Sequence, residues 1–193
     1  SMQNNNQHIL VFDTATEACS AALLSAGQVY RHFEVCPQQH SQKILPLIQT
    51  LCEQANIAPQ QLDAIGFGQG PGSFTGVRIA TGIVQGVAYG ANKPVIGISS
   101  LAAMAHGVYR RNLNASLNDS SKGSHLNSEI CSTNAQNVIS AIDARMSEIY
   151  LAAYQVEAIG QVKPLLADTV CKPLESLALL ANEEKNWLAI GTG

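Results

Sequence analysis

Charge is scarce in this chain: Asp, Glu, Lys and Arg make up 13% of its 193 residues, about half the usual share, and the formal net charge is −3. So weakly basic a sequence excludes a broad nucleic-acid-binding face of its own, because such affinity comes from neutralising phosphates. Cys19, Cys36, Cys52, Cys131 and Cys171 stand singly, with no C-x-x-C, which argues against a disulfide framework and against a structural zinc site. No run of apolar residues approaches a membrane span, and no basic start leads into an apolar stretch, so no membrane contact and a cytoplasmic location are expected. His8, His32, His40, His106 and His125 are far apart. Only Cys36-x-x-x-His40 has ligand spacing, and with Pro37 inside the spacer the pair reads as incidental, so no metal site is expected. A G-x-S-x-G elbow and any local Ser-His-Asp or Cys-His set are also missing, and no catalytic residue can be named.

What is present is apolar. Hydrophobic residues reach 46%, enough for a sizeable core. Low charge among many small apolar side chains also points to surface that another chain covers. Short β-prone runs, Ile9 to Phe12, Cys19 to Leu24 and Val29 to Phe33, predict a three-stranded meander. From His40 to Ala55 apolar residues recur at helical spacing, with Pro46 predicting a kink or a helix start nearby. A strand from Ala64 to Phe67, a helix from Ser73 to about Tyr89, a strand from Val95 to Ile98 and a helix from Leu101 to Arg110 follow. The stretch Asn112 to Asn137 is rich in Asn and Ser without periodicity and reads as a surface connector. Ser1 ahead of Met2 reads as a cloning remnant. The expected layout is a frayed lead-in over 1–8, a first lobe over 9–110, a connector over 111–137 and a second lobe over 138–193.

The chain also echoes itself. Ile9-Leu10-Val11-Phe12-Asp13, with Glu17 and Ala21-Ala22, returns as Ile139-Ser140-Ala141-Ile142-Asp143 with Glu148 and Ala152-Ala153, and Gly27-Gln28-Val29 returns as Gly160-Gln161-Val162. Two lobes that each open with a strand ending in Asp are an actin-like plan, in which Asp13, Thr14, Asp143 and Arg145 would face a nucleotide cleft; any two antiparallel meanders also look alike, and the repeat alone does not choose between these readings. ATP with magnesium on the two carboxylates is the weaker reading, since strand-end Asp residues equally cap turns.

Two glycine patterns stand out. Gly68-Gln69-Gly70-Pro71-Gly72-Ser73 joins a strand to a helix N-terminus, yet it is neither a P-loop, lacking the Lys, nor a G-x-G-x-x-G, since Ser73 takes the place of the third Gly. A tight turn capped by Ser73 is the better reading than a phosphate cradle. Along the helix that follows, Gly82, Gly86 and Gly90 recur every four residues in line with Arg78. Each interior Gly costs about 1 kcal/mol relative to Ala, so the stripe needs a compensating close contact. Packing on the chain's own sheet would supply one; a partner helix is the favoured reading, with Ile44, Leu47 and Leu51 of the first helix contributing beside the stripe.

The stretch Ile9 to Ser20, with Asp13-Thr14-Ala15-Thr16-Glu17-Ala18-Cys19-Ser20, together with His40-Ser41-Gln42-Lys43-Ile44-Leu45-Pro46, the loop Gly68 to Arg78 and Ala141-Ile142-Asp143-Ala144-Arg145-Met146-Ser147-Glu148-Ile149-Tyr150, resembles the TsaB (YeaZ) family. The resemblance implies an α/β, actin-like, Hsp70-type ATPase fold of two RNase H-like lobes. It implies a non-catalytic subunit that joins TsaD, with TsaE, in placing a threonylcarbamoyl group on the adenosine after the anticodon. Family heterodimers join through helices near the glycine stripe, and a homodimer could use the same face when TsaD is absent. tRNA would be met only through the complex. TsaD carries an H-x-x-x-H metal pair; here those positions fall on Ser100 and Met104, so no cofactor is expected in this chain and the catalytic metal is expected in TsaD alone. Action as a phosphotransferase or peptidase on its own is the competing expectation. Relative to the family, the connector looks long and the second lobe looks truncated after Gly193.

Overall fold

The computed structural model describes residues 6–119, 135–180 and 186–192. The chain divides into two compact units, Ser1–Ser100 and Leu101–Gly193.

In the first unit β1 (His8–Asp13), β2 (Ala18–Ser25) and β3 (Gln28–Val35) form the expected antiparallel meander. Alternation does the sorting: Cys19, Ala21 and Leu23 turn inward while Ala18, Ser20 and Ala22 remain half-covered. Helix α1 (His40–Gln54) then carries the chain back to β4 (Ala64–Gly68), parallel to β1, and α2 (Phe74–Ala91) carries it to β5 (Val95–Ile98), parallel to β4. The sheet order is β3-β2-β1-β4-β5, as parallel neighbours joined by crossover helices require. Leu10, Phe12, Leu23, Ile44, Leu51, Ile65 and Val84 share one core. Each such side chain contributes roughly 1.5–3 kcal/mol by leaving water.

Pro46 does not start the helix. It lies inside α1, on the exposed side, where the carbonyl that loses its partner belongs to exposed Gln42 and can turn to solvent. Ser73 is the N-cap of α2 as read, its Oγ accepting from Gly76 N–H at 3.4 Å, and Asn92 closes the helix in the left-handed region.

The second unit consists of α3 (Ser100–Asp119, whose first residue closes the first unit), β6 (Gln136–Arg145), β7 (Glu148–Ala158), β8 (Gln161–Cys171), α4 (Pro173–Leu180) and β9 (Trp187–Gly191). Its sheet order is β8-β7-β6-β9, with β9 parallel to β6. Leu101, Ala105 and Tyr109 of α3 bury against Val138, Ala152 and Val156. That packing moves the boundary from the expected residue 110 to the start of α3, because the apolar face of the helix belongs to the second core. α3 also claims the first residues assigned to the connector. β6 claims its last two, Gln136 and Asn137, while 120–134 of the connector and most of the lead-in, 1–5, lie outside the described residues.

The repeat read from the sequence is a repeat of topology: three antiparallel strands, a helix, then a strand parallel to the first, twice over. These are the RNase H-like lobes of an actin-like α/β fold. Among the described residues no helix is long and apolar enough to cross a membrane.

Candidate functional site

The two Asp-ended strands do the same local work. Asp13 Oδ1 accepts from Ala15 N–H at 2.6 Å, and Asp143 Oδ1 accepts from Arg145 N–H at 2.7 Å. Each is an Asx turn that reverses the chain after its strand. The other Asp13 oxygen accepts from Ser100 Oγ at 3.3 Å. Thr14 is fully buried and its hydroxyl donates to Gly76 O at 2.6 Å. Asp13 and Thr14 belong to the first unit, Asp143 and Arg145 to the second. Arg145 is exposed and takes a left-handed backbone, φ 66°.

The glycine loop is spent on the same turn. Ser73 N–H donates to Ala15 O at 2.8 Å, Ser100 N–H to Gly70 O at 2.9 Å and Gln69 N–H to Ile98 O at 3.0 Å. A Cβ at Gly72 would stand 2.6 Å from Ala15 O, and one at Gly76 would collide with Thr14 O. Backbone packing against the turn after β1 is therefore what these glycines permit, and the tight-turn reading of the loop fits the geometry.

The stripe on α2 behaves in the opposite way. A Cβ placed at Gly82, Gly86 or Gly90 would meet nothing within 4 Å. Arg78 is exposed one turn before it. The helix buries its other face instead, through Ala80 and Val84, with Ile83, Val87 and Ala88 packed alongside. So the chain's own sheet does not supply the contact that these glycines need. Beside them Tyr89 is 92% exposed, a large ring standing next to a face without side chains. Sequence periodicity missed Tyr89, although its place between Gly86 and Gly90 could have marked it.

The first helix corrects one expectation. Ile44, Leu47 and Leu51 are 0%, 6% and 1% exposed, in the core of their own unit, and have no surface to offer a partner. Helical phase explains this: the residues with the strongest apolar period are the ones the sheet needs. What α1 turns towards α2 is Leu45, Pro46, Gln49 and Glu53, which with Gly86 and Gly90 line a groove of about 690 Å³. Leu45 is half-exposed there.

Burial, then the neighbouring Cys36, pushes the Cys19 thiol up to about 12, and burial raises Cys52 and Cys171 as well, so none is a ready thiolate. Ser100 is buried and bonded to Asp13, while Met104 packs on the second core. Glu34 is held below the usual carboxylate range by Lys43, whose Nζ is 3.1 Å away.

Residues 32–116 match the family model described as TsaD: tRNA N6-adenosine threonylcarbamoyltransferase. The chain is 42% identical over 188 residues to the tRNA threonylcarbamoyladenosine biosynthesis protein TsaB of Escherichia coli, covering 96% of this chain and 71% of that one. Against the protein of the same name from Haemophilus influenzae the identity is 36%, covering 97% and 73%. Among solved structures, one titled YeaZ from Pseudomonas aeruginosa superposes with a TM-score of 0.73 at 35% identity, over 95% of this chain and 75% of that one. A second from the same organism, described as similar to peptidase YEAZ, reaches 0.77 at 37%, over 95% and 74%.

Proposed function

The chain belongs to the TsaB family, and on that premise we propose that it is a non-catalytic subunit of tRNA threonylcarbamoyladenosine biosynthesis that binds TsaD through the glycine face of α2. The observation that carries the reading is the stripe itself. Two interior glycines oppose the helix by roughly 2 kcal/mol, and the chain makes no use of the space they leave. A partner helix laid against Gly82, Gly86 and Gly90 approaches backbone to backbone, and the gain in dispersion contacts offsets that cost. Tyr89 at the edge supplies the large amphipathic anchor that such interfaces concentrate their energy in, and the α1–α2 groove takes an apolar side chain of the partner beside Leu45.

The rest of the reading follows from what the site lacks in chemistry and holds in shape. Ser100 and Met104 stand where the TsaD relative carries its metal pair and are engaged in structure, so the threonylcarbamoyl transfer and its metal belong to TsaD. TsaE joins the complex of the two, and tRNA meets the chain only within it. Without TsaD a second copy of this chain occupies the same stripe. Action on ATP by the chain alone is the competing reading, and the carboxylate oxygens committed to the Asx turns weigh against it.

Light-scattering mass after gel filtration tests this, for the chain alone and with TsaD, in wild type and Gly86→Leu. The open face accommodates leucine in the free chain and the helix gains propensity, so the variant melts no lower than wild type and loses the heterodimer. A Gly86→Leu chain that still forms the complex overturns the assignment of the face. Heat on titrating the free chain with ATP and magnesium, abolished by Asp13→Ala, would favour the nucleotide reading instead.

A further inference from the structure

Three buried side chains of the first unit play no part in that face. Cys19 on β2, Cys36 just beyond β3 and His40 at the start of α1 each place one ligand atom within 4.8 Å of the other two, and all three residues are buried. The two sulfurs are 2.8 Å apart. Backbone geometry builds the cluster. Cys36 N–H donates to Glu17 O at 2.9 Å, Gln39 N–H donates to Cys36 O at 3.0 Å, and Gln38 takes φ 61°, so Cys36-Pro37-Gln38-Gln39-His40 closes into one tight turn beside β2. His40 Nε2–H donates to the Thr16 carbonyl at 2.5 Å. A carbonyl only accepts, so in the neutral ring the lone pair sits on Nδ1, and the ring is oriented as outer-shell carbonyls orient metal-bound imidazoles.

We propose that Cys19, Cys36 and His40 form a buried zinc(II) site that ties β2, the β3–α1 turn and α1 together. The ligand set selects the ion by softness and charge. Two thiolates and an imidazole suit borderline and soft cations, whereas calcium and magnesium want oxygen. Two thiolates and a neutral imidazole also balance a divalent ion to zero net charge, while a monovalent copper would leave a charge buried. Binding breaks two S–H bonds and forms two Zn–S bonds, with both protons leaving to solvent. At Zn–S distances of about 2.3 Å in tetrahedral geometry the sulfurs stand roughly 3.7 Å apart, so the pair opens by about 1 Å. A fourth ligand, water or a backbone oxygen, completes the shell. The site is structural: none of its three residues lines the α1–α2 groove or the glycine stripe, so it is independent of the reading of the α2 face.

The test uses the whole chain, reduced and anaerobic, titrated with cobalt(II) as the spectroscopic probe and then with zinc(II). The expected result is saturation at about one cobalt per chain with a thiolate-to-cobalt charge-transfer band, displacement by zinc, and release of about two protons per zinc. Cys36→Ser and His40→Ala should weaken zinc by more than the roughly 10–100-fold that loss of an outer-shell partner costs. Cys131→Ser and Cys171→Ser should leave it unchanged. Because the first pair of variants could fail to fold, X-ray absorption of zinc-loaded wild type provides a reading without mutation: about two sulfurs near 2.3 Å and lighter atoms besides. An all-nitrogen-and-oxygen shell, a band that survives Cys36→Ser in a folded variant, or conversion of Cys19 and Cys36 to a disulfide under air without any metal uptake would each overturn the proposal.

Discussion

The two lobes share a strand plan and an Asx turn but differ in how their helices are used. α1 buries His40, Ile44, Leu47, Ile48, Leu51 and Cys52, whereas its counterpart α4 buries no residue and leaves Leu174 82% and Leu177 66% exposed. α2, between β4 and β5, buries one face and bares another. Repetition of the fold therefore resides in strand pairing and in the carboxylate that reverses the chain after the first strand. Helix packing is where the lobes diverge, and the face read as functional lies on a helix of the first lobe.

Within α2 the contrast is sharpest between glycines a turn and a half apart. Gly76 touches the β1 turn so closely that a Cβ collides with Thr14 O, a rigid backbone atom. Gly76→Ala should therefore destabilise the chain by about 3 kcal/mol in urea unfolding, the upper end of overpacking costs. Gly82→Ala, with nothing within 4 Å, should stabilise the free chain by about 1 kcal/mol through helix propensity alone. Equal destabilisation by both changes would mean that the stripe is packed within the chain, and the interface reading would fall with it.

A smaller effect separates the two strand-ending turns. After Asp143 three consecutive non-glycine residues, Arg145, Met146 and Ser147, hold φ of 66°, 54° and 62°, while no residue between Asp13 and Ala18 does so. Each left-handed non-glycine residue costs about 1 kcal/mol. Ser147→Gly should raise stability by up to about that amount in thermal unfolding, and an unchanged midpoint would show that Ser147 carries no such strain.

Much of this was legible in the sequence because strong local signals agreed with the fold. The alternating runs gave the meander, Ser73 gave the cap, and the echo of Ile9 to Asp13 in Ile139 to Asp143 gave the second lobe. The missed features depend on contacts far apart in the chain. Periodicity put Ile44, Leu47 and Leu51 on one face but could not say that the face looks inward. The boundary at residue 110 followed a shift in composition, whereas α3 takes its allegiance from Val138 and Val156. Cys36 and His40 were visible as a spacing, but Cys19 joins them only because β2 pairs with β3. Tyr89 hid in a run dominated by its glycines.

The smallest difference between the lobes lies in their second hairpins, and it depends on pH. In the first lobe Ala26 N–H donates to the Gln7 carbonyl at 3.2 Å, a partner that does not titrate. In the second, Gly160 N–H donates to His106 Nε2 at 3.0 Å, a bond that needs the neutral ring. Burial, then the Arg110 charge, lowers the pKa of His106 below its ordinary value of 6.5. A histidine lowered on folding takes up its proton more readily in the unfolded chain, so its contribution is complete above the unfolded pKa and is lost as pH falls through the folded one. Hydrogen exchange at the Gly160 amide should therefore quicken relative to Ala26 as pH falls below about 6.5, after correction for intrinsic rates. His106→Gln, which keeps an acceptor without titrating, should remove that dependence. If the two turns respond alike in wild type, the histidine is not what holds the second one.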